Sequence, residues 1–212
     1  MIRVGETATL RTGDAAEVAA LRAHFRERHA VRLPGFLEPT FLAKLQSRLR
    51  AATFVPKSHD GIGHELVCWD SPAADALLFV LNDPGLFRLI TELTGVGPIG
   101  CFIGRIYRMT AACAHHEAWH SDVGDHRLIA LSVNLSEEPY RGGTTLLREQ
   151  GRPETEQTLE NTTPGDAVLF RIDPALEHCI TDVEPGPPKT AWAGWFRSEP
   201  SFRDVLAGKS AL

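Results

Sequence analysis

With 212 residues, 43% of them hydrophobic and 23% charged, the chain has an ordinary globular composition and enough length for one full core without staples. A net charge of −5 leaves no basic footprint and argues against nucleic acid as a partner. No apolar stretch approaches a membrane span, Met1-Ile2-Arg3-Val4-Gly5-Glu6 is no signal peptide, and Cys68, Cys101, Cys113 and Cys179 form no C-x-x-C pair. A cytoplasmic protein with reduced thiols and no membrane partner is expected.

In chain order, the first half reads as helical. Asp14 and Glu17 form a capping-box pattern, and Val18, Leu21 and Phe25 follow at helical spacing as far as about His29. Residues 31–36 read as a short strand and turn. A second helix starts near Glu38-Pro39, with Phe41, Leu42, Leu45 and Leu49 on one face as core rather than a binding groove. Residues 54–66, with His59, Gly61, Gly63 and His64, read as a loop able to lie over a pocket. Ser71-Pro72 and Asp83-Pro84 each set a cap residue before a first-turn proline, predicting helices that end near Leu81 and Gly95.

From Pro98 onward the period changes. Short apolar runs at 99–107, 127–135, 144–147, 167–172, 177–183 and 190–196 are bounded by Gly, Pro and Asp, which argues an antiparallel sandwich or barrel rather than βαβ units. The prediction is one domain over 1–212: a mainly helical support layer at 1–97, a β core at 98–198 and a C-terminal tail at 199–212.

One triplet stands out in the β half, His120-Ser121-Asp122. Nine His and eleven Asp in this length give about half a His-x-Asp match by chance alone, so context must decide. His115-x-Glu117 is a rival pair, but it begins at an odd offset from His120, so on one continuous strand the two pairs would face opposite ways. His120 and Asp122 share a face if the strand runs through them, and a strong strand follows from Arg127. His178 is the sole histidine after residue 126. Two imidazoles and a carboxylate suit Fe(II), with coordination positions left open, and the lack of a thiolate pair argues against structural zinc.

Lys189 lies beyond the Pro185-Gly186-Pro187-Pro188 turn and would re-enter the same cavity to pair with a carboxylate; Arg197, on the same side of that strand, is the rival for this role. Tyr107 could donate a second hydrogen bond. Arg127 has two readings, at the substrate opening or paired with a surface carboxylate. Trp119 is expected to pack under the helices, Trp195 in the core, and His59, His64, His115, His116 and His126 in loops or at the surface.

The order Tyr107, His120-x-Asp122, Arg127, Asn134-Leu135, Tyr140-x-Gly142-Gly143, Pro164-Gly165-Asp166, His178, Lys189, Trp195 resembles the Fe(II)/2-oxoglutarate-dependent oxygenases. The nearest flavour is the prolyl-4-hydroxylase and PKHD-type branch, with phytanoyl-CoA-hydroxylase-like neighbours, over roughly residues 98–198. Thr144 replaces the acidic residue usual after the glycine pair, and the spacing from His178 to Lys189 is one residue longer than in typical prolyl hydroxylases. The resemblance implies a double-stranded β-helix (a jelly-roll or cupin-like barrel) with N-terminal helices packed on one face. It implies Fe(II) on His120, Asp122 and His178, the far carboxylate of 2-oxoglutarate on Lys189 with help from Tyr107, O2 as oxidant and ascorbate as a candidate reductant.

The function it implies is a dioxygenase that hydroxylates an unactivated C–H bond of a small or amino-acid-like molecule, with a peptidyl residue as the other candidate. Asp122 fills the position that related halogenases leave open for halide. A cupin-like non-oxygenase metal protein and a non-catalytic interaction scaffold are the alternatives, and a monomer or a homodimer would serve equally.

Overall fold

The computed structural model describes residues 2–113 and 115–207. In chain order β1 (Ile2–Val4) and β2 (Thr9–Arg11) form a small ribbon, followed by α1 (Ala15–Arg28), β3 (Ala30–Leu33), α2 (Pro39–Arg50), β4 (Val55–His59), β5 (Gly63–Cys68), α3 (Pro72–Leu81) and α4 (Pro84–Thr94). The second half adds β6 (Cys101–Met109), β7 (Glu117–His120), β8 (Arg127–Asn134), β9 (Thr145–Glu149), β10 (Gln157–Leu159), β11 (Ala167–Arg171), β12 (Leu176–Ile180), β13 (Lys189–Arg197) and a short α5 (Phe202–Leu206). Among these residues no helix is long and apolar enough to cross a membrane.

The helix boundaries follow local chemistry. Asp14 and Glu17 make both halves of the capping box on α1, while Ser71 and Asp83 cap α3 and α4 ahead of their first-turn prolines. On α2, Phe41, Leu45 and Leu49 are 1%, 0% and 3% exposed, and each buried side chain of this size contributes about 1.5–3 kcal/mol. They share one buried cluster with Ile129, Leu131 and Val133 of β8 and Trp192 and Phe196 of β13. The helices therefore lie on one face of the sheet. Asn82 ties α3 to that sheet, donating to the carbonyl of Phe102 and accepting from its N–H.

The described residues hold an 11-stranded sheet with the order β10-β9-β12-β7-β5-β6-β13-β8-β11-β3, and β4 pairs with β5. Its pairs are antiparallel. The sheet curls on itself, so that Phe170 of β11 meets the His178 ring of β12 with centroids 4.7 Å apart. This nearly closed antiparallel barrel, with helices on one face, is the double-stranded β-helix.

Two expectations change. Residues 54–66 do not form a loop: β4 and β5 make a hairpin, and Ala118 donates to the Ile62 carbonyl at 2.7 Å. Nor does the sheet begin at residue 98, since β3, β4 and β5 belong to it. β4 carries little apolar pattern, being exposed along most of its length, so it gave no period-2 signal.

Asp166, 3% exposed, is the main polar fastening between β3 and the barrel. Its carboxylate accepts from Arg32 at 2.6 and 3.0 Å and from the Gly35 N–H at 2.8 Å. Replacement by alanine leaves the Gly35 donor without a partner and the guanidinium with Thr163 Oγ1 alone, at a cost of about 2 kcal/mol. The expected fall in Tm is roughly 4–8 °C for a chain of this size, read by calorimetry; an unchanged Tm would show that water replaces the carboxylate at no cost.

Candidate metal centre and cavity

β7 and β12 place two histidines directly opposite each other, His178 against His120. In an antiparallel ladder, facing residues project to the same side, and the two rings lie 4.2 Å apart. Asp122 follows just past the end of β7. Its Oδ2 lies 3.5 Å from His178 Nε2 and its Oδ1 lies 3.8 Å from His120 Nε2. One ligand atom from each of the three residues fits within 4.8 Å of the others.

The protonation states suit ligation. His120 Nδ1 lies 2.7 Å from the Ala118 carbonyl, which can only accept, so Nδ1 carries the proton and Nε2 presents its lone pair. Burial, and secondarily the neighbouring His120, push the His178 imidazole down to about 4, which keeps it neutral at pH 7. Asp122 is held at both oxygens: Trp195 Nε1 donates to Oδ2 at 2.7 Å and Arg127 Nη1 donates to Oδ1 at 3.2 Å. Arg127 stacks 3.9 Å over the Trp195 ring and also reaches Asp125. Its two sequence readings thus meet in one residue, which lines the cavity and pairs with carboxylates.

Trp195 packs against the apolar cluster of Ala130, Val168 and Phe170, as expected, and has a second role that was not expected of it. Period-2 alternation along β13 puts it on the face of Lys189, Ala191 and Ala193, and it lines the cavity above Asp122. Trp119 also departs from expectation: it lies beneath the Arg148 guanidinium, 3.7 Å away, and not under the helices. His59 joins the cavity wall, while His115 is buried with Nδ1 accepting from the Thr110 N–H.

The triad opens into a cavity of about 350 Å³ whose far wall includes Tyr107 and Thr145. Lys189 lies behind that wall, 2% exposed. Its Nζ donates to the Gly143 carbonyl at 2.8 Å and sits 5.3 Å from the centre of the Tyr107 ring. Gly142 and Gly143 take φ of +66° and +58°, and a Cβ on Gly142 would stand 2.1 Å from the Asp182 carbonyl, so the turn that aims the Gly143 carbonyl requires glycine.

No carboxylate among the described residues lies within ion-pair distance of Lys189, and the Tyr107 hydroxyl is buried without a hydrogen bond. Burial pushes the Lys189 ammonium down to about 8. A desolvated ammonium beside an orphaned phenol is a site for an incoming anionic group. Arg197 does not share it: its Nε donates to the Asp125 carbonyl at 2.5 Å and braces the turn before β8.

Geometry thus defines a site inside the barrel, a His-Asp-His donor set able to hold a metal ion beside a buried cationic pocket. Residues 105–197, which hold that donor set, match the family model of the 2OG-Fe(II) oxygenase superfamily, whose cofactors are Fe(II), 2-oxoglutarate and O2. Among solved structures, an oxidoreductase of the 2OG-Fe(II) oxygenase family from Burkholderia pseudomallei is similar at 16% identity and a TM-score of 0.67, over 95% of this chain and 98% of that one. A Pseudomonas putida prolyl-4-hydroxylase is similar at 18% identity and 0.65, over 86% and 100%. The 2-oxoglutarate-dependent epimerase SnoN of nogalamycin biosynthesis is similar at 17% and 0.62, over 94% and 93%. No curated protein sequence matches the chain closely enough to count. The structural likenesses speak for the fold.

Proposed function

We propose that this protein is an Fe(II)- and 2-oxoglutarate-dependent dioxygenase that hydroxylates an unactivated C–H bond of a small or amino-acid-like molecule. The observation that supports it most is the convergence of His120, Asp122 and His178 on the cavity that Tyr107 and Lys189 back. The donor set fits a ferrous ion: two imidazoles and one carboxylate on one side, with the cavity on the other. The buried ammonium and the unpaired phenol fit the far carboxylate of 2-oxoglutarate.

In this reading the bound iron and cosubstrate supply the oxidising chemistry, in which 2-oxoglutarate, O2 and a C–H bond become succinate, CO2 and a C–OH. The chain supplies geometry. His120 and His178 are fixed by their strand register, and Asp122 is oriented by Trp195 and Arg127, so the donor set is arranged before any metal arrives. Lys189 donates to the far carboxylate in a desolvated setting where a charge-assisted bond is strong. All three ligand positions are filled, which leaves the non-catalytic scaffold reading without its usual sign.

An anaerobic titration of Fe(II) and 2-oxoglutarate into apo-protein tests this directly. The weak visible charge-transfer band of chelated 2-oxoglutarate is expected. Admitting O2 with ascorbate and substrate should then yield succinate and a product one oxygen heavier. Folded protein that shows no band would overturn the oxygenase reading. A product of unchanged mass and inverted centre would keep the cosubstrate chemistry and replace hydroxylation by epimerisation, the reaction named for SnoN.

A further inference from the structure

Beside the metal ligands, on the strands that carry Tyr107 and His120, the cavity has a second polar wall that the oxygenase chemistry does not use. Arg105 lies two residues before Tyr107 on β6 and faces the same interior. Its Nε donates to Glu65 Oε1 at 2.6 Å, and the same oxygen lies 2.7 Å from His59 Nε2. Glu65 is 1% exposed and its second oxygen has no partner. The guanidinium is therefore held from behind by a buried carboxylate, with its outer edge turned to the cavity. Nη2 has only His59 Nε2 at 3.5 Å and Glu117 Oε1 at 3.8 Å, and Nη1 makes no hydrogen bond among the described residues.

Glu117 completes the wall. It lines the cavity from β7, three residues before His120. Strict alternation would turn it away from His120, but the ladder slips here: His178 pairs with His120 and Ile180 with Glu117, so β7 spends three residues where β12 spends two. The bulge reverses the parity and brings the Glu117 carboxylate inside. Among the described residues its ion-pair partner within 4 Å is Arg105, already neutralised by Glu65. The wall thus holds two carboxylates and one guanidinium.

We propose that this wall recognises a free amino acid as substrate, with its ammonium on Glu117 and its carboxylate on the outer edge of Arg105. The inference rests on the oxygenase reading of the same cavity and names its substrate class. Zwitterion chemistry fits each feature. The ammonium compensates the carboxylate that Arg105 leaves unbalanced, and the substrate carboxylate meets a fork of donors whose position is fixed by Glu65. A peptidyl residue offers neither charge, so both groups would stay buried and unmet. Size agrees: a cavity of about 350 Å³ is at the small end of ligand sites and must also hold 2-oxoglutarate. Burial, with Glu65 behind it, pushes the Glu117 carboxyl upward against the pull of Arg105, and a neighbouring ammonium relieves that tension.

Calorimetry on protein loaded with Mn(II) and 2-oxoglutarate reads binding without turnover. The probes are the twenty proteinogenic L-amino acids, each beside its N-acetyl and carboxamide forms. At least one amino acid should bind, and both blocked forms should bind about tenfold or more weaker, the loss expected when a buried charge loses its partner. Glu117→Gln should weaken the free amino acid while leaving its N-acetyl form unchanged, and Arg105→Lys should weaken the free acid more than the carboxamide; saturable 2-oxoglutarate binding by each variant certifies that it is folded. Blocked forms that bind as well as the free acid, or no amino acid bound by protein that does bind 2-oxoglutarate, overturn the proposal and leave the oxygenase reading standing. Failure to bind 2-oxoglutarate overturns both.

Discussion

Asp122→Ala is expected to abolish turnover and to weaken Fe(II) binding by more than about 100-fold, beyond what loss of a mere supporting partner costs a metal site. The side chain lies past the end of β7 with two donors, Trp195 and Arg127, aimed at it, and no strand pairing depends on it. The variant should therefore keep its fold, read as an unshifted thermal transition, while anaerobic metal titration loses its end point. Retained turnover in a folded Asp122→Ala protein would remove the facial triad from the proposal. The histidines alone would leave a bidentate site, with Trp195 and Arg127 turned toward a gap.

Lys189→Ala separates cosubstrate from metal. The ammonium is buried behind Tyr107 with one carbonyl partner, and its deletion should weaken 2-oxoglutarate by roughly 100-fold, as for truncated partners of buried charge pairs. Iron affinity measured without 2-oxoglutarate should stay near that of the parent. Arg197→Ala is the matched control. It loosens the turn at Asp125 and should leave 2-oxoglutarate in place; the reverse pattern would move the clamp to Arg197.

The same lysine sets a pH dependence. Burial lowers it to about 8 in the ligand-free protein, so the ammonium is mostly present at pH 7 and is lost as pH rises through that value. The dissociation constant of 2-oxoglutarate should therefore climb above pH 8, approaching tenfold per pH unit. The slope should vanish in Lys189→Ala; a flat profile in the parent would place the carboxylate elsewhere.

What the sequence made legible divides along physical lines. Helix ends were readable because caps are local: Asp14, Ser71, Asp83 and Gly95 act on backbone within a few residues. The long strands were readable because β8, β11 and β13 are buried and bounded by turn residues. The cavity-facing role of Trp195 was missed although the signal existed, since alternation from Lys189 already puts it on that lysine's face. Arg105 had a signal of the same kind, a lone charge two residues before Tyr107 in an apolar run. β4 had none, because it pairs through backbone and shows solvent most of its side-chain surface. Glu117 lay beyond sequence reasoning, for its place depends on a slip in strand pairing that no residue type announces.

That slip separates chemistry from recognition within one short strand. His120 is fixed by its partner His178, whereas Glu117 faces inward by virtue of one extra residue between them. Inserting one residue into β12 between His178 and Ile180 would let the ladder run without a slip, leave the donor set in register and turn Glu117 to the outer surface. A lineage could in this way exchange what its barrel accepts through a single-codon insertion, while the oxidising machinery is inherited intact.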